Sequence, residues 1–421
     1  MDKLVIQGGN KVNGKIRVSG SKNAVLPILC AAILPEKGTT IIHDVPELRD
    51  IATIIKVIES LGIKVDWDKS TRTVCINAEN ISSYVAPYEI VRQMRASFLV
   101  LGPLLARTGK AKVSLPGGCS LGQRPVNLHL KGFRKLGAKV VEEAGYVLAE
   151  CDRLAGGTFC FDRPSHTGTE NIMVGAVTAS GTTTIVNAAM DPEVIDLANI
   201  LNKMGAAISG AGTPTIEIKG VKTLKAIEYT VMPDRLVAGT YMCVCSTAGG
   251  KLELDNCKPE HLDIVIQKFE EMGAEIKSNG DRLTMQSDSR PRAVEITTFP
   301  YPGFPTDLQP TFMAAAVIAD GVSHIRETVF EDRFAGAMEL IRMGANIRIS
   351  SDEATIEGTE RLYGTTVMAS DIRAGAGLVA AAAGAKGETH IRRVYHIDRG
   401  YQQIEHDLAQ IGVDIERVPD S

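Results

Sequence analysis

Apolar positions along the chain fall into two kinds of segment. One is amphipathic. Leu48, Ile51, Ile55, Ile58 and Leu61 return every three or four residues and form one stripe, as do Tyr401, Ile404, Leu408 and Ile411. That spacing predicts helices with one covered face. The other kind, over 24–34, 96–106, 171–179 and 310–319, is apolar on every side and predicts helices enclosed by other elements. After each amphipathic segment comes an apolar residue, a glycine and a short alternating strand, as in Leu61-Gly62-Ile63-Lys64-Val65 and Met343-Gly344-Ala345-Asn346-Ile347. These glycines stand at 62, 137, 205, 273, 344 and 412, at intervals of 75, 68, 68, 71 and 68 residues. A glycine there suits the left-handed position that ends a helix. The all-apolar helices meet their own glycines at 38, 109, 181, 250, 321 and 387, each followed by a strand.

The chain therefore holds six units, each with two helices and several strands. At 421 residues it is too long for one ordinary core, so two domains of three units each are expected. Enclosing the apolar helices within outer sheets gives an α/β fold of two inside-out barrels. A solenoid is the usual meaning of repeats, but it rarely needs an all-round apolar helix in every unit. The crossing between domains is expected to be short, near Leu224 to Asp234.

Charge narrows the function. A net charge of -4 argues against a general nucleic-acid binder. No apolar run reaches membrane-spanning length and the start has no apolar signal core, which points to the cytoplasm. The eight cysteines are scattered and read as reduced thiols; Cys243-x-Cys245 has the wrong spacing for zinc. Cys30, Cys160, Cys243 and Cys245 read as small buried hydrophobes.

The polar residues that stand out lie where the enclosed helices begin. Lys22, Arg95, His166, Arg235, Asp307 and Arg373 precede the following glycine by 16, 14, 15, 15, 14 and 14 residues. Arg49, Arg124 and Arg399 stand 13 residues before the other glycines. A cation at a helix N-terminus opposes the helix dipole, so local stability does not explain it. Free backbone N–H groups with Arg or Lys suit an anion, and equivalent helix ends would converge on one cleft. Any single one of these residues reads equally well as a surface cap or salt bridge. Asp307, after Pro305-Thr306, reads as an N-cap or as a base, and composition alone favours the cap. Ser165-His166-Thr167-Gly168-Thr169 reads as a phosphate-cradling turn or plain capping. The loop Leu115-Pro116-Gly117-Gly118-Cys119-Ser120-Leu121-Gly122-Gln123-Arg124-Pro125 surrounds one thiol with three glycines. A cysteine beside Arg124 and a helix start, with Pro125 in the first turn, would have a lowered pKa.

With Ser19-Gly20-Ser21-Lys22-Asn23-Ala24, Met94-Arg95-Ala96-Ser97, Phe304-Pro305-Thr306-Asp307 and Tyr395-His396-Ile397-Asp398-Arg399-Gly400-Tyr401, these segments make the chain resemble the UDP-N-acetylglucosamine 1-carboxyvinyltransferases over essentially its whole length. That family carries out the first committed step of peptidoglycan synthesis. The resemblance implies a discontinuous domain over 1–21 and 230–421 and a second over 22–229. It implies transfer of the enolpyruvyl group of phosphoenolpyruvate to UDP-N-acetylglucosamine, with no metal or organic cofactor. Cys119 would be the acid and Asp307 the base. Lys22 and Asn23 would touch phosphoenolpyruvate, and Arg95 the sugar nucleotide. Arg124 would reach the phosphate, and Arg124, Pro125, Val126, Asn127 and Leu128 would line the uridine site. Arg163, Ser165, His166 and Thr167 would sit by the diphosphate, and Val329 by the sugar. Arg333, Asp371, Arg373 and Arg399 would complete the anion cleft.

Three places in the chain, five residues in all, depart from the family pattern. Asn127 stands where aspartate is usual, His166-Thr167-Gly168 where Val-Gly-Ala is usual, and Met190 where arginine is common. These departures bear on nucleotide recognition and not on the reaction type; a paralogue acting on another acceptor and a non-catalytic nucleotide-sugar binder are the other readings. Cys119 argues against the sibling transferases that act on shikimate 3-phosphate, and Lys22, Cys119, Asp307 and Arg399 together argue against a mere binder. Oligomeric state is not legible.

Overall fold

The computed structural model describes residues 2–116 and 126–420, so Cys119, Arg124 and Pro125 lie outside the described residues. The described chain divides into two compact units. One comprises 2–19 and 233–420, the other 20–116 and 126–232.

All six glycines that end the amphipathic helices have positive φ, from 86° at Gly62 to 107° at Gly205. A side chain there would be strained, which is why the motif repeats a glycine. The preceding helices are Arg49–Ser60, Asn127–Lys135, Pro192–Met204, Asp263–Glu271, Ala337–Arg342 and Ile404–Gln410. Both sequence-predicted stripes are buried along their length.

Among the described residues there are six four-stranded sheets, three in each unit. Each has one parallel pair and two antiparallel pairs. Thr40–His43, for instance, runs parallel to Glu228–Thr230 and antiparallel to Thr73–Asn77, which in turn pairs with Lys64–Asp68. The first strand, Asp2–Gly8, lies between Gly387–Arg392 and Asp414–Pro419 and completes the last sheet. Strand burial alternates, as in Gly250–Asp255 where Leu252 and Leu254 face inward.

The enclosed helices lie within each unit and pack on one another. In one unit they are Arg235–Ala248, Gln309–Ala316 and Ile372–Gly384. In the other they are Lys22–Ala31, Leu101–Thr108 and His166–Ala176. Every residue of Lys22–Ala31 except Asn23 is buried, and Ile372–Gly384 is buried from Arg373 to Ala383. Close approach requires small residues: a Cβ on Gly377 would come within 2.6 Å of the Pro310 carbonyl oxygen.

Two of the expected helices begin differently. Arg95–Val100 and Thr306–Leu308 are 3₁₀ turns that lead into Leu101–Thr108 and Gln309–Ala316. Pro103 and Pro310 lack the N–H that an α-helix would bond to the carbonyl four residues back, at Leu99 and Thr306, so the chain enters through a tighter turn.

Cys30, Cys243 and Cys245 are buried as expected, but Cys160 is exposed. It ends the edge strand Thr158–Cys160, where alternation turns Phe159 inward and Cys160 out.

Candidate active site

The six charged residues picked from the sequence all stand at helix starts. Lys22, His166 and Arg235 are first in their helices, Arg373 is second, and Arg95 and Asp307 lie in the 3₁₀ turns. An acceptor precedes each α-helical cation. Ser21 and Ser165 accept from the N–H groups of Ala24 and Gly168, Asp234 from those of Leu236 and Val237, and Asp371 from those of Arg373 and Ala374. The caps satisfy the helix ends at about 1 kcal/mol each, which leaves the neighbouring cations for other work. Asp371, expected among the anion-cleft residues, caps with Oδ1, and its Oδ2 accepts from the Ser370 hydroxyl at 3.2 Å.

In the larger C-terminal unit, Asp307 does not cap. The reading that composition favoured is overturned: Pro305 occupies the cap position, without a side-chain bond. The Asp307 carboxylate instead sits between two arginines. Arg333 donates NH2 to Oδ1 at 2.8 Å, and Arg373 donates Nε to Oδ2 at 3.1 Å. Both guanidiniums are buried, at 3% and 4% exposure, so their charge is desolvated and depends on this partner. Arg333 also donates Nε to the Thr306 carbonyl at 3.2 Å.

Behind Arg373 runs a directed chain. Its NH1 donates to the Tyr401 hydroxyl at 3.0 Å, which lies 2.8 Å from Thr240 Oγ1. Thr240 donates its own proton to the Leu236 carbonyl, so Tyr401 is the donor between them. Burial pushes the Tyr401 phenol up, so it keeps its proton. Burial works against the Arg373 charge, but Tyr401, Asp307 and Asp234 outweigh it and raise its pKa. Glu327, which sequence reasoning missed, is buried and accepts from Thr298 and Thr306 and from the N–H groups of Val329 and Phe330. It ties the candidate sugar contact Val329 to the turn carrying Asp307. Arg399 ends the 3₁₀ turn Val394–Arg399 and is partly buried.

In the other unit, Lys22 is buried with its ammonium 3.4 Å from Asp50 Oδ2. Asn23 follows it and is partly buried, as is Arg95. His166 Nε2 lies 3.1 Å from Oε1 of Glu170, one helical turn on, in a contact of charge without good hydrogen-bond alignment. Glu170 and Glu193 are almost fully buried. Burial opposes the His166 charge, but Glu170, Asp191 and Glu193 prevail and hold it up to about 10. Burial pushes Glu170 up as well, and His166 pulls it back. Ser165 and Thr167 flank His166 and are partly buried, while Arg163 is exposed.

His129 was not singled out from the sequence. Its Nδ1 lies 3.0 Å from Asn171 Nδ2, and its Nε2 3.3 Å from Thr167 Oγ1. Asn171 uses Oδ1 to accept from the Gly102 N–H, so Nδ2 is the donor and His129 Nδ1 must be the acceptor. Burial, with help from Arg95, pushes His129 down to about 3. It is therefore a neutral ring that orders Thr167. Its signal was available: it sits on the covered face of Asn127–Lys135 beside Leu130 and Phe133. Val126 is buried at the cap of that helix, Asn127 is exposed as its first residue, and Leu128 is half-buried. Among the described residues no His, Cys, Asp and Glu group could hold a metal ion, and no helix is long and apolar enough to cross a membrane.

A family model described as EPSP synthase (3-phosphoshikimate 1-carboxyvinyltransferase) matches residues 6–408. Relatives named UDP-N-acetylglucosamine 1-carboxyvinyltransferase match along their whole length. One from Halorhodospira halophila is 47% identical over 420 residues, covering 100% of both chains. One from Geobacter metallireducens is 50% identical over 418 residues, covering 99% of this chain and 100% of the relative. Among solved structures, the enolpyruvyl transferase NikO from Streptomyces tendae superposes with a TM-score of 0.90 at 25% identity, covering 100% of this chain and 99% of that one. EPSP synthase from Acinetobacter baumannii, at 19% identity and a TM-score of 0.76 with both chains fully covered, shares the fold. Identity near one half, unbroken from end to end, places the chain in the UDP-N-acetylglucosamine 1-carboxyvinyltransferase family.

Proposed function

We propose that the chain transfers the enolpyruvyl group of phosphoenolpyruvate to the 3-hydroxyl of UDP-N-acetylglucosamine and releases phosphate, the first committed step of peptidoglycan synthesis in the cytoplasm. Full-length relatives of that name support the reaction. The observation that carries the chemistry is the Asp307 carboxylate held between Arg333 and Arg373.

The reaction adds an alcohol across the carbon–carbon double bond of phosphoenolpyruvate. A proton goes to the methylene carbon and the alcohol oxygen bonds the adjacent carbon, giving a tetrahedral ketal. Loss of phosphate, with a proton from the new methyl group, restores the double bond. Both steps need an acid and a base in place. Cys119 is the acid in this reading, and Asp307 takes the proton of the 3-hydroxyl. A guanidinium on each Asp307 oxygen favours the ionised form and weakens it as a base. A substrate carboxylate or phosphate that draws one arginine away would free an oxygen and strengthen the base. Substrate charge and base strength are then coupled.

Lys22, Asn23, Arg124, Arg333, Asp371, Arg373 and Arg399 are assigned to the cleft that holds the anionic groups. Arg95, Arg163, Ser165, His166, Thr167 and Val329 are assigned to the sugar nucleotide, and Pro125, Val126, Asn127 and Leu128 to its uridine.

Phosphate release from phosphoenolpyruvate should require UDP-N-acetylglucosamine. Release independent of the sugar nucleotide, or none with it, would overturn the reading. Cys119→Ser should nearly abolish turnover at neutral pH, because a serine hydroxyl is far too weak an acid. An epoxide should label Cys119 first. Burial pushes the thiols of Cys243, Cys245 and Cys257 up to about 12 and that of Cys30 higher still, so none of them offers thiolate. Labelling of exposed Cys160 without loss of activity is harmless to the reading; inactivation with Cys119 unlabelled is not.

A further inference from the structure

Asp398 and Glu405 stand on either side of a short loop, and one guanidinium holds both. Arg417, on the last strand Asp414–Pro419, donates NH1 and NH2 to the two oxygens of Asp398 at 3.2 and 2.7 Å. It donates Nε and NH2 to the two oxygens of Glu405 at 2.7 and 3.1 Å. Two forks on one arginine are a stronger and more directional device than an ordinary surface ion pair. The strand that carries it is fixed in turn, with Arg417 opposite Leu4 in the sheet.

The bridged residues bound the segment Arg399-Gly400-Tyr401-Gln402-Gln403. Asp398 belongs to the 3₁₀ turn Val394–Arg399 and Glu405 to the helix Ile404–Gln410. Non-glycine residues take left-handed backbone at Gln403, the last residue of that segment, at φ 47°, and at Arg393, just before the 3₁₀ turn, at φ 58°. Those conformations persist only where surroundings enforce them. Tyr401 is anchored inside by Arg373 and Thr240. Arg399 lies nearer the surface, and the covalent neighbour that precedes it is Asp398.

We propose that Arg417 is a positioning residue for Arg399, closing the ends of its loop so that the Arg399 guanidinium is presented to the anionic groups of phosphoenolpyruvate. This rests on the reading of Arg399 as a ligand of that substrate. Removing the clasp leaves the sheet and the Tyr401 anchor in place and lets the Arg399 end drift. Misplacement on the ångström scale is enough to weaken binding severely.

The test is steady-state kinetics on the full chain, with phosphoenolpyruvate varied at saturating UDP-N-acetylglucosamine. Arg417→Gln should raise KM for phosphoenolpyruvate about tenfold, with a smaller fall in kcat and no change in KM for the sugar nucleotide. Arg417→Lys should recover part of the loss, since one ammonium cannot reproduce the forks. In an Arg399→Ala background, Arg417→Gln should add nothing further, whereas a role confined to general stability would add its own loss. Should Arg417→Gln fail to fold, Asp398→Asn and Glu405→Gln each remove one fork and carry the same readout. Unchanged KM in Arg417→Gln while Arg399→Ala raises it overturns the proposal alone, as do additive losses in the double variant. Unchanged KM in Arg399→Ala overturns the reading of Arg399, and the proposal with it.

Discussion

Two helix starts at equivalent places in the repeat carry opposite charge. At the turn before Gln309–Ala316, an acid, Asp307, is held by two buried cations in aligned hydrogen bonds of 2.8 and 3.1 Å. At the start of His166–Ala176, a cation, His166, faces the carboxylates of Glu170, Asp191 and Glu193, and its contact with Glu170 is poorly aligned. Both positions recur from the same repeat. The fold therefore supplies places where a side chain meets a helix end, and the residue at each place decides the chemistry. Aligned, two-sided pairing suits a group that must be held still while a proton moves. The looser histidine contact suits a group that holds a charged ligand.

The comparison breaks most sharply at Asp307. Asp307→Asn should lower kcat by about 10²–10⁴-fold and leave UDP-N-acetylglucosamine binding within a modest factor, because an amide keeps the shape and loses the base. A variant with normal kcat at saturation and weaker binding would make Asp307 a ligand contact only. Asn is the better probe than Ala, since its amide oxygen can still accept from one of the two buried guanidiniums, whereas Ala takes this partner from both.

An intermediate effect belongs to His129, the neutral histidine behind Thr167. Its pKa is lowered from 6.5 to about 3 in the folded protein. The folded state thus binds fewer protons than the unfolded state between those values. The associated stability is present above pH 6.5 and is lost as pH falls through about 3. His129→Gln should flatten that part of the stability curve by an amount on the order of a few kcal/mol, seen in urea titrations across the acid range. An unaltered curve would mean that His129 is not the group that titrates. His166 has the opposite sign: its raised pKa gives stability that is complete below pH 6.5 and lost as pH rises through about 10.

The smallest effect is expected at Asn127. As an exposed first residue of its helix it offers both a donor and an acceptor. Asn127→Asp should lower KM for UDP-N-acetylglucosamine by a small factor through a charge-assisted bond and leave kcat alone. Competition with CDP and TDP sugars checks the premise, and preference for either would move the site away from uridine.

The repeat was legible in the sequence because its signals are local. Glycines that need left-handed backbone and stripes of period 3.6 each lie within a dozen residues. Helix starts were legible for the same reason. The partners of Asp307 were not, since Arg333 and Arg373 lie 26 and 66 residues away and only tertiary packing joins them. That distance is why the cap reading looked better than the base. Glu327 and Tyr401 were hidden likewise: one looks like a strand-end acid, the other like one more member of an apolar stripe. The misreading of Cys160 came from grouping it with Cys30, Cys243 and Cys245 as core, when edge-strand alternation decides the face.

The most direct test offers the protein phosphoenolpyruvate with UDP-N-acetylglucosamine and shikimate 3-phosphate together and identifies the product by mass spectrometry. The account predicts an enolpyruvyl ether on the 3-hydroxyl of the nucleotide sugar and untouched shikimate 3-phosphate. An enolpyruvyl group on shikimate 3-phosphate, or on neither acceptor, would contradict it.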